Sequence, residues 1–312
     1  MAFDFASISA PFRMQPGLRR LASGAKQLTP NTPGDRTLRE KLAVLNAYAS
    51  QAMLSTPGFD AGPVLQALSS HAANEHPATW SSEGYDHAHA HLLGWSLRGS
   101  ELQQHSDALP EVGACLQALA TEWRLPALLS LAFAEDFAVI DGNTAHIPWL
   151  AVCLPSGWAP EEKIGRHFAQ VHAPVADNQL LVTASDHLAR LVTGHDRWER
   201  FVWTITRHPR LHAHPARVDP APWPSDATAE QLAKLAFFRT ERQTFIPLPD
   251  RRQAMFTIHV NLQPLTEALQ IAEHALQLHD ALATMSDAVL AYRGLTDARD
   301  RLLAWLASQA SA

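Results

Sequence analysis

Residues 153–175, CLPSGWAPEEKIGRHFAQVHAPV, decide how the chain is read. Pro155 and Gly157 interrupt what precedes them. Pro160 suits the first position of a helix, where its missing N–H would be unpaired anyway. Glu161 and Glu162 follow, where negative charge meets the positive end of the helix dipole. Ile164, Phe168 and Val171 recur at helical spacing, and Pro174 closes the run. The spacing therefore predicts one helix from Pro160 to about His172. At roughly 100° per residue, His167 and His172 lie at the two edges of the apolar stripe, with Arg166 nearly opposite it. A histidine at the edge of an apolar face, just before a chain reversal, can hold a metal or a haem iron, or bond a neighbouring carbonyl. The residues leave both open.

Before this stretch, Phe137–Ile140, Asp141-Gly142 and His146–Cys153 read as strand, hairpin turn and strand. After it come a helix over 178–192, a strand at Phe201–Thr206, a loop over 207–227 crowded with prolines, and a helix or strand over 231–238. QAMFTIHVN (253–261) is the best strand in the chain, rich in β-branched and aromatic residues. Periodic leucines predict a long helix over 264–291, broken at Gly294, and a second over 295–308 that returns along it as a hairpin. Toward the N-terminus, 1–35 read as an extended arm. Helices are expected over 35–54, 59–73, 110–123 and 127–134, while 74–108 carry no clear period. Helices, a strand pair, a helix, two strands and helices make an α+β fold with an antiparallel sheet.

The 312 residues suffice for a large core, and 46% hydrophobic with 18% charged residues marks a globular chain rather than a disordered one. A formal charge of −6 argues against a nucleic-acid partner. No apolar run is long enough for a membrane span, and the N-terminus lacks a basic-then-apolar leader, so a cytoplasmic setting is expected. Cys115 and Cys153 are the two cysteines, too few for an iron–sulfur cluster on this chain's own thiolates. GxGxxG, Walker A, HExxH and GxSxG motifs are absent. Among 17 histidines, His87, His89 and His91 alternate with alanines. On a strand they would share a face, as a zinc site could require, or they form an ordinary polar stretch.

Several stretches, in order, resemble the haem-dependent oxidative N-demethylase alpha-subunit-like family. They are Pro11-Phe12-Arg13 with Pro16-Gly17, Glu135-Asp136-Phe137, the 153–175 segment, Arg200-Phe201-Val202-Trp203, Arg239-Thr240-Glu241-Arg242-Gln243-Thr244-Phe245, Leu248-Pro249 and Phe256-Thr257-Ile258. The resemblance implies a PAS-like antiparallel sheet with flanking helices that cradles haem b. On that view 1–110 form an arm and helical region, 111–262 the haem-binding core and 263–312 the C-terminal helices of one compact unit. His172 is then the expected axial iron ligand, with His167, His187 and His259 as rivals. Arg166 and Arg242 are expected at haem carboxylates; Glu241, Arg239 and Arg200 are the expected catalytic groups, with Asp136 a rival carboxylate. Trp203 and Phe201 either wall an amine cation or belong to the core. The implied activity is oxidation of a small amine's N-methyl group with O2, releasing formaldehyde. Electrons would come from separate flavin and iron–sulfur (reductase or ferredoxin-type) subunits, and the chain could self-associate. The alternatives are a non-catalytic haem-binding sensor and a chain that keeps the fold without haem. Val202 stands where the family often has asparagine, which bears on the choice of substrate.

Overall fold

The computed structural model describes residues 3–84, 87–218 and 222–311. Residues 85–86, ahead of the histidine run, and 219–221 of the proline-rich loop lie outside them. The strands are β1 (Arg19–Arg20), β2 (Met53–Ser55), β3 (Trp80–Glu83), β4 (His87–Ala90), β5 (Trp95–Arg98), β6 (Glu101–Gln104), β7 (Asp136–Asp141), β8 (Trp149–Ala151), β9 (Trp198–Thr206), β10 (Phe237–Leu248) and β11 (Gln253–Pro264). The helices are α1 (Arg36–Ala52), α2 (Gly62–Glu75), α3 (Pro110–Ala118), α4 (Thr121–Ala132), α5 (Phe168–His172), α6 (Gln179–Thr183), α7 (Ser185–Val192), α8 (Ala229–Lys234), α9 (Leu265–Ala268), α10 (Ala272–Ala283), α11 (Asp287–Tyr292) and α12 (Arg299–Ala310). Mixed helices with antiparallel sheets make the fold α+β, as expected.

The main sheet runs β1-β9-β10-β11-β7-β8-β2, and its registered strand pairs are antiparallel. Alternation along β7 shows how it divides the interior. Phe137 and Val139 join the core made with α1 to α4, whereas Ala138 and Ile140 turn to the other face, toward α7 and the 164–171 segment. A third apolar cluster packs α8 to α12 against Trp203, Ile205 and Phe238. The unreadable region 74–108 holds a second sheet, the meander β3-β4-β5-β6. Its strands are four residues each, too short to show a period.

The helix expected from Pro160 to His172 is not continuous. A single 3₁₀ turn spans Pro160–Glu162, and α5 begins only at Phe168. Gly165 lies between them at φ +68°, a left-handed conformation that glycine adopts freely. The chain there pairs with the end of the 142–148 loop: Gly165 N donates to Ile147 O at 2.7 Å and Ile147 N to Arg166 O at 3.1 Å. That pairing also shortens the expected 146–153 strand to β8. The Asp-Gly turn is a wider loop, with Asp141 Oδ1 accepting from Asn143 N and Thr144 N. At Gly142 a Cβ would meet Thr193 Oγ1 at 2.1 Å, so the close approach of α7 excludes any side chain there. The long 264–291 helix is three pieces, because Leu269 leaves helical geometry and Ser286 caps a new start at Val289 N. The expected hairpin survives as α10 packed against α12.

Lys41 on α1 is fully buried and reaches β7, with Nζ 3.2 Å from Asp136 Oδ1 and donating to Glu135 O at 2.6 Å and Phe133 O at 3.1 Å. Asp136 Oδ2 in turn accepts from Leu154 N at 2.6 Å. Removing one member of such a pair strands the other charge in the core, which costs about 3–5 kcal/mol. Lys41→Met is expected to lower unfolding stability by that order in denaturant titration, and Lys41→Met with Asp136→Asn to recover a large part of the loss.

Candidate functional site

A cavity of about 280 Å³ opens over the face of the main sheet that carries Ala138 and Ile140. Its floor follows the two-residue period of five strands: Arg200, Val202 and Thr204 on β9, Glu241, Gln243 and Phe245 on β10, Phe256 and Ile258 on β11, Ala138 and Ile140 on β7, and Leu150 on β8. Its roof is Trp158, Lys163, and Phe168, Val171 and His172 of α5. Leu181 of α6 closes one side, and Tyr292 and Arg293 at the end of α11 another. Apolar walls surround a small set of convergent polar groups, the composition of a small-molecule site.

His172 occupies the last turn of α5. Its Nδ1 lies 2.8 Å from Phe168 O, one turn back. A carbonyl can only accept, so the proton is on Nδ1, and Nε2 carries a free lone pair with no partner among the described residues. Burial, with Arg200 and Lys163 facing it, pushes the His172 pKa down to about 4 despite the Phe168 carbonyl. The ring is therefore neutral at physiological pH and presents a ligating nitrogen whose other nitrogen is already held, as metal-binding histidines require.

The rival histidines are placed elsewhere. His167 caps α5, accepting from Ala169 N through Nδ1, and its Nε2 is 2.9 Å from Asp186. His187 is exposed on α7. His259 lies across the sheet with Nδ1 2.9 Å from Glu135. His89 stacks on His105 at a ring-centroid distance of 4.1 Å and meets the tilted ring of His91 at 4.0 Å. Burial and the neighbouring rings lower the His89 pKa to about 4. Among the described residues no three His, Cys, Asp or Glu side chains converge to hold a bare metal ion, so the zinc reading of this run is not assembled.

The arginines divide sharply. Arg200 lines the cavity, and among the described residues its guanidinium has no hydrogen-bond or ion-pair partner; burial lowers its pKa, opposed by Glu241. Arg239, on the same face of β10, is covered. Its Nε donates to Ser156 Oγ at 2.8 Å, and its other nitrogens to the carbonyls of Arg210, Leu211, Leu154 and Pro155. Arg242 lies on the opposite face, paired with Glu199 at 2.8 and 2.9 Å and donating to Lys26 O. Arg166 is exposed, outside the cavity lining. Asp136 belongs to the Lys41 pair. Glu241 lines the cavity, mostly buried, and accepts from Gln243 Nε2 at 2.6 Å. Trp203 stays in contact with core aromatics and carries the Arg293 guanidinium at 5.2 Å over its ring. Phe201 packs under Arg19, away from the lining.

Sequence reasoning missed Lys163, Tyr292 and Arg293. Lys163 donates to Val171 O at 2.9 Å, and Arg293 to Trp203 O at 2.6 Å. Burial brings Arg293 down to about 10 and raises Tyr292. The Tyr-Arg-Gly ending of a short helix is too common a pattern to announce Tyr292 and Arg293.

The neutral His172 has a thermodynamic signature. Its folded pKa is below the unfolded value, so the unfolded chain binds more protons between about pH 4 and pH 6.5, and stability is lost as pH falls through that window. The wild type is expected to lose up to a few kcal/mol more there than His172→Gln, the difference being read by denaturant titration at a series of pH values.

One comparison bears on identity. A family model described as haem-dependent oxidative N-demethylase, alpha subunit-like, matches residues 36–303. The match takes in every strand and side chain named in the cavity floor and roof, and on that span the chain belongs to the haem-dependent oxidative N-demethylase alpha-subunit-like family.

Proposed function

We propose that the chain is a haem-dependent monooxygenase subunit of the oxidative N-demethylase type, in which His172 would hold the iron of haem b. The observation that carries this reading is the lone His172 Nε2, held neutral and oriented by Phe168 O, in an apolar cavity of the family's core. The donor set suits haem: one imidazole, aliphatic and aromatic walls for the macrocycle, and cations for its carboxylates. Lys163, on the same wall as His172, is the nearest in sequence of those cations. Arg166 is exposed outside the cavity and Arg242 is paired with Glu199 across the sheet, so neither faces a group bound there. The strand order supports a PAS-like core. Taking β7 to β11 as strands one to five, the sheet reads 2-1-5-4-3, the order of a PAS sheet. Residues 111–262 would then be that core, the earlier residues an arm and helical cover, and 263–312 the C-terminal helices.

Haem bound there would supply oxygen activation, so that an N-methyl amine, O2, two electrons and two protons give the demethylated amine, formaldehyde and water. This chain's residues bind, orient and exclude water. Glu241 holds the substrate ammonium at its carboxylate and is the group placed to pass a proton at Oε1 or Oε2, while Gln243 fixes its orientation. Arg239 acts at a distance, fixing the loop that presents Ser156 and Trp158 to the cavity. The electrons come from flavin and iron–sulfur subunits, in keeping with an alpha-subunit family. Among the described residues no helix is long and apolar enough to cross a membrane, and we take the setting to be cytoplasmic.

The test is an absorption spectrum of protein expressed with ample haem. Wild type is expected to show a strong Soret band that His172→Ala loses or shifts, and Glu241→Gln to keep the band while formaldehyde release with a reductant and amine falls by about 10²-fold or more. A wild-type protein with no Soret band would sink the reading. An intact, unshifted band in His172→Ala would move the ligand to another residue.

A further inference from the structure

The cavity holds two opposite charges that do not satisfy each other. Arg200 and Glu241 lie on neighbouring strands, Arg200 opposite Gln243 and Glu241 opposite Val202, so they are diagonal neighbours on one face. Each feels the other's field, but among the described residues no contact within 4.0 Å joins them as an ion pair. The other cations of the lining are engaged, Lys163 with Val171 O and Arg293 with Trp203 O. Among the described residues Arg200 has no such acceptor, and the side-chain hydrogen bond that Glu241 receives comes from the Gln243 amide. Val202, directly across from Glu241, offers neither of them a polar atom. A guanidinium turned into an apolar cavity with nothing to bond is costly, and the cost is removed when a ligand brings the missing carboxylate. A simple alkylamine would satisfy Glu241 and leave Arg200 bare.

We propose that the site takes a zwitterionic N-methylated amino acid, its ammonium on Glu241 and its carboxylate on the Arg200 guanidinium. This deepens the N-demethylase reading and rests on it. Arg200 is the specificity-determining residue, because it separates amino-acid substrates from plain amines.

A carboxylate could also come from haem itself, and the experiment separates the two sources. Binding of N-methylglycine, dimethylamine and acetate is measured by calorimetry on the purified full-length protein, and the Soret band of each sample is recorded independently. In wild type, N-methylglycine is expected to bind at least about tenfold more tightly than dimethylamine or acetate. Arg200→Gln is expected to abolish that preference while leaving dimethylamine binding and the Soret band in place, and Arg200→Lys to keep part of the preference. Equal binding of the three probes by wild type overturns the proposal. So does a preference that survives in Arg200→Gln, or an Arg200→Gln protein that loses haem with the preference unchanged, which would give Arg200 to the cofactor. If Arg200→Gln does not fold, the comparison is made with Arg200→Lys, and an undiminished preference there overturns the proposal. A missing Soret band in wild type sinks the haem reading alone, since the calorimetric ranking is read without it.

Discussion

Everything in the cavity roof depends on how residues 153–157 are held against the sheet. Arg239 is the centre of that junction. Buried under the end of β10, it spends its guanidinium on four backbone carbonyls and the Ser156 hydroxyl, from two loops that no ladder would otherwise join. Asp136 holds Leu154 N from the other side and is itself neutralised by Lys41. His212 Nδ1 meets Cys153 O at 2.7 Å, and Ala213 exchanges backbone hydrogen bonds with Pro155 and Gly157. Carbonyls of irregular chain buried this deeply must find donors. A guanidinium can serve several at once, and its charge is not lost on burial.

From that anchor the roof is built with little regular structure. A 3₁₀ turn, a left-handed glycine and a five-residue helix carry Trp158, Lys163 and His172 over the floor. So short a helix has no cooperative stability of its own. It persists because both ends are tied: His167 caps its start, and the Asn178 amide donates to His172 O and Ala173 O at its end. The His172 Nδ1 bond to Phe168 O adds a third tie within the same short helix, so the ring is oriented by the helix it helps to close.

Much of this was legible in the sequence. The β-branched run at 253–261, the strand at 201–206 and the Phe137–Ile140 strand announced the centre of the main sheet, because buried strands declare themselves by composition. The helix break at Gly165 was not legible: Ile164, Phe168 and Val171 keep their apolar spacing, and only pairing with Ile147 from a distant loop decides against a continuous helix. The β3 to β6 meander was hidden for the same reason, its four-residue strands being fixed by their neighbours rather than by pattern. His172 and Glu241 were singled out by motif resemblance, and both line the cavity. Arg293 was not, because it arrives from a C-terminal helix end whose own sequence is ordinary, and its place follows from packing of α11 beside Trp203.

The β10 ladder makes the chemistry of the floor a matter of phase. Arg239, Glu241 and Gln243 share one face, and Arg242 with its partner Glu199 the other, through an unbroken register with β9 and β11. A slip of one residue would turn Glu241 and Gln243 outward, bring Arg242 and Thr240 in, and so turn a floor of balanced charge into a positive one without changing a single amino acid. The twelve-residue length of β10 and β11 therefore works as a reading frame for the cavity, in which the alignment of two backbones, as much as the identity of any residue, specifies what kind of molecule the floor can meet.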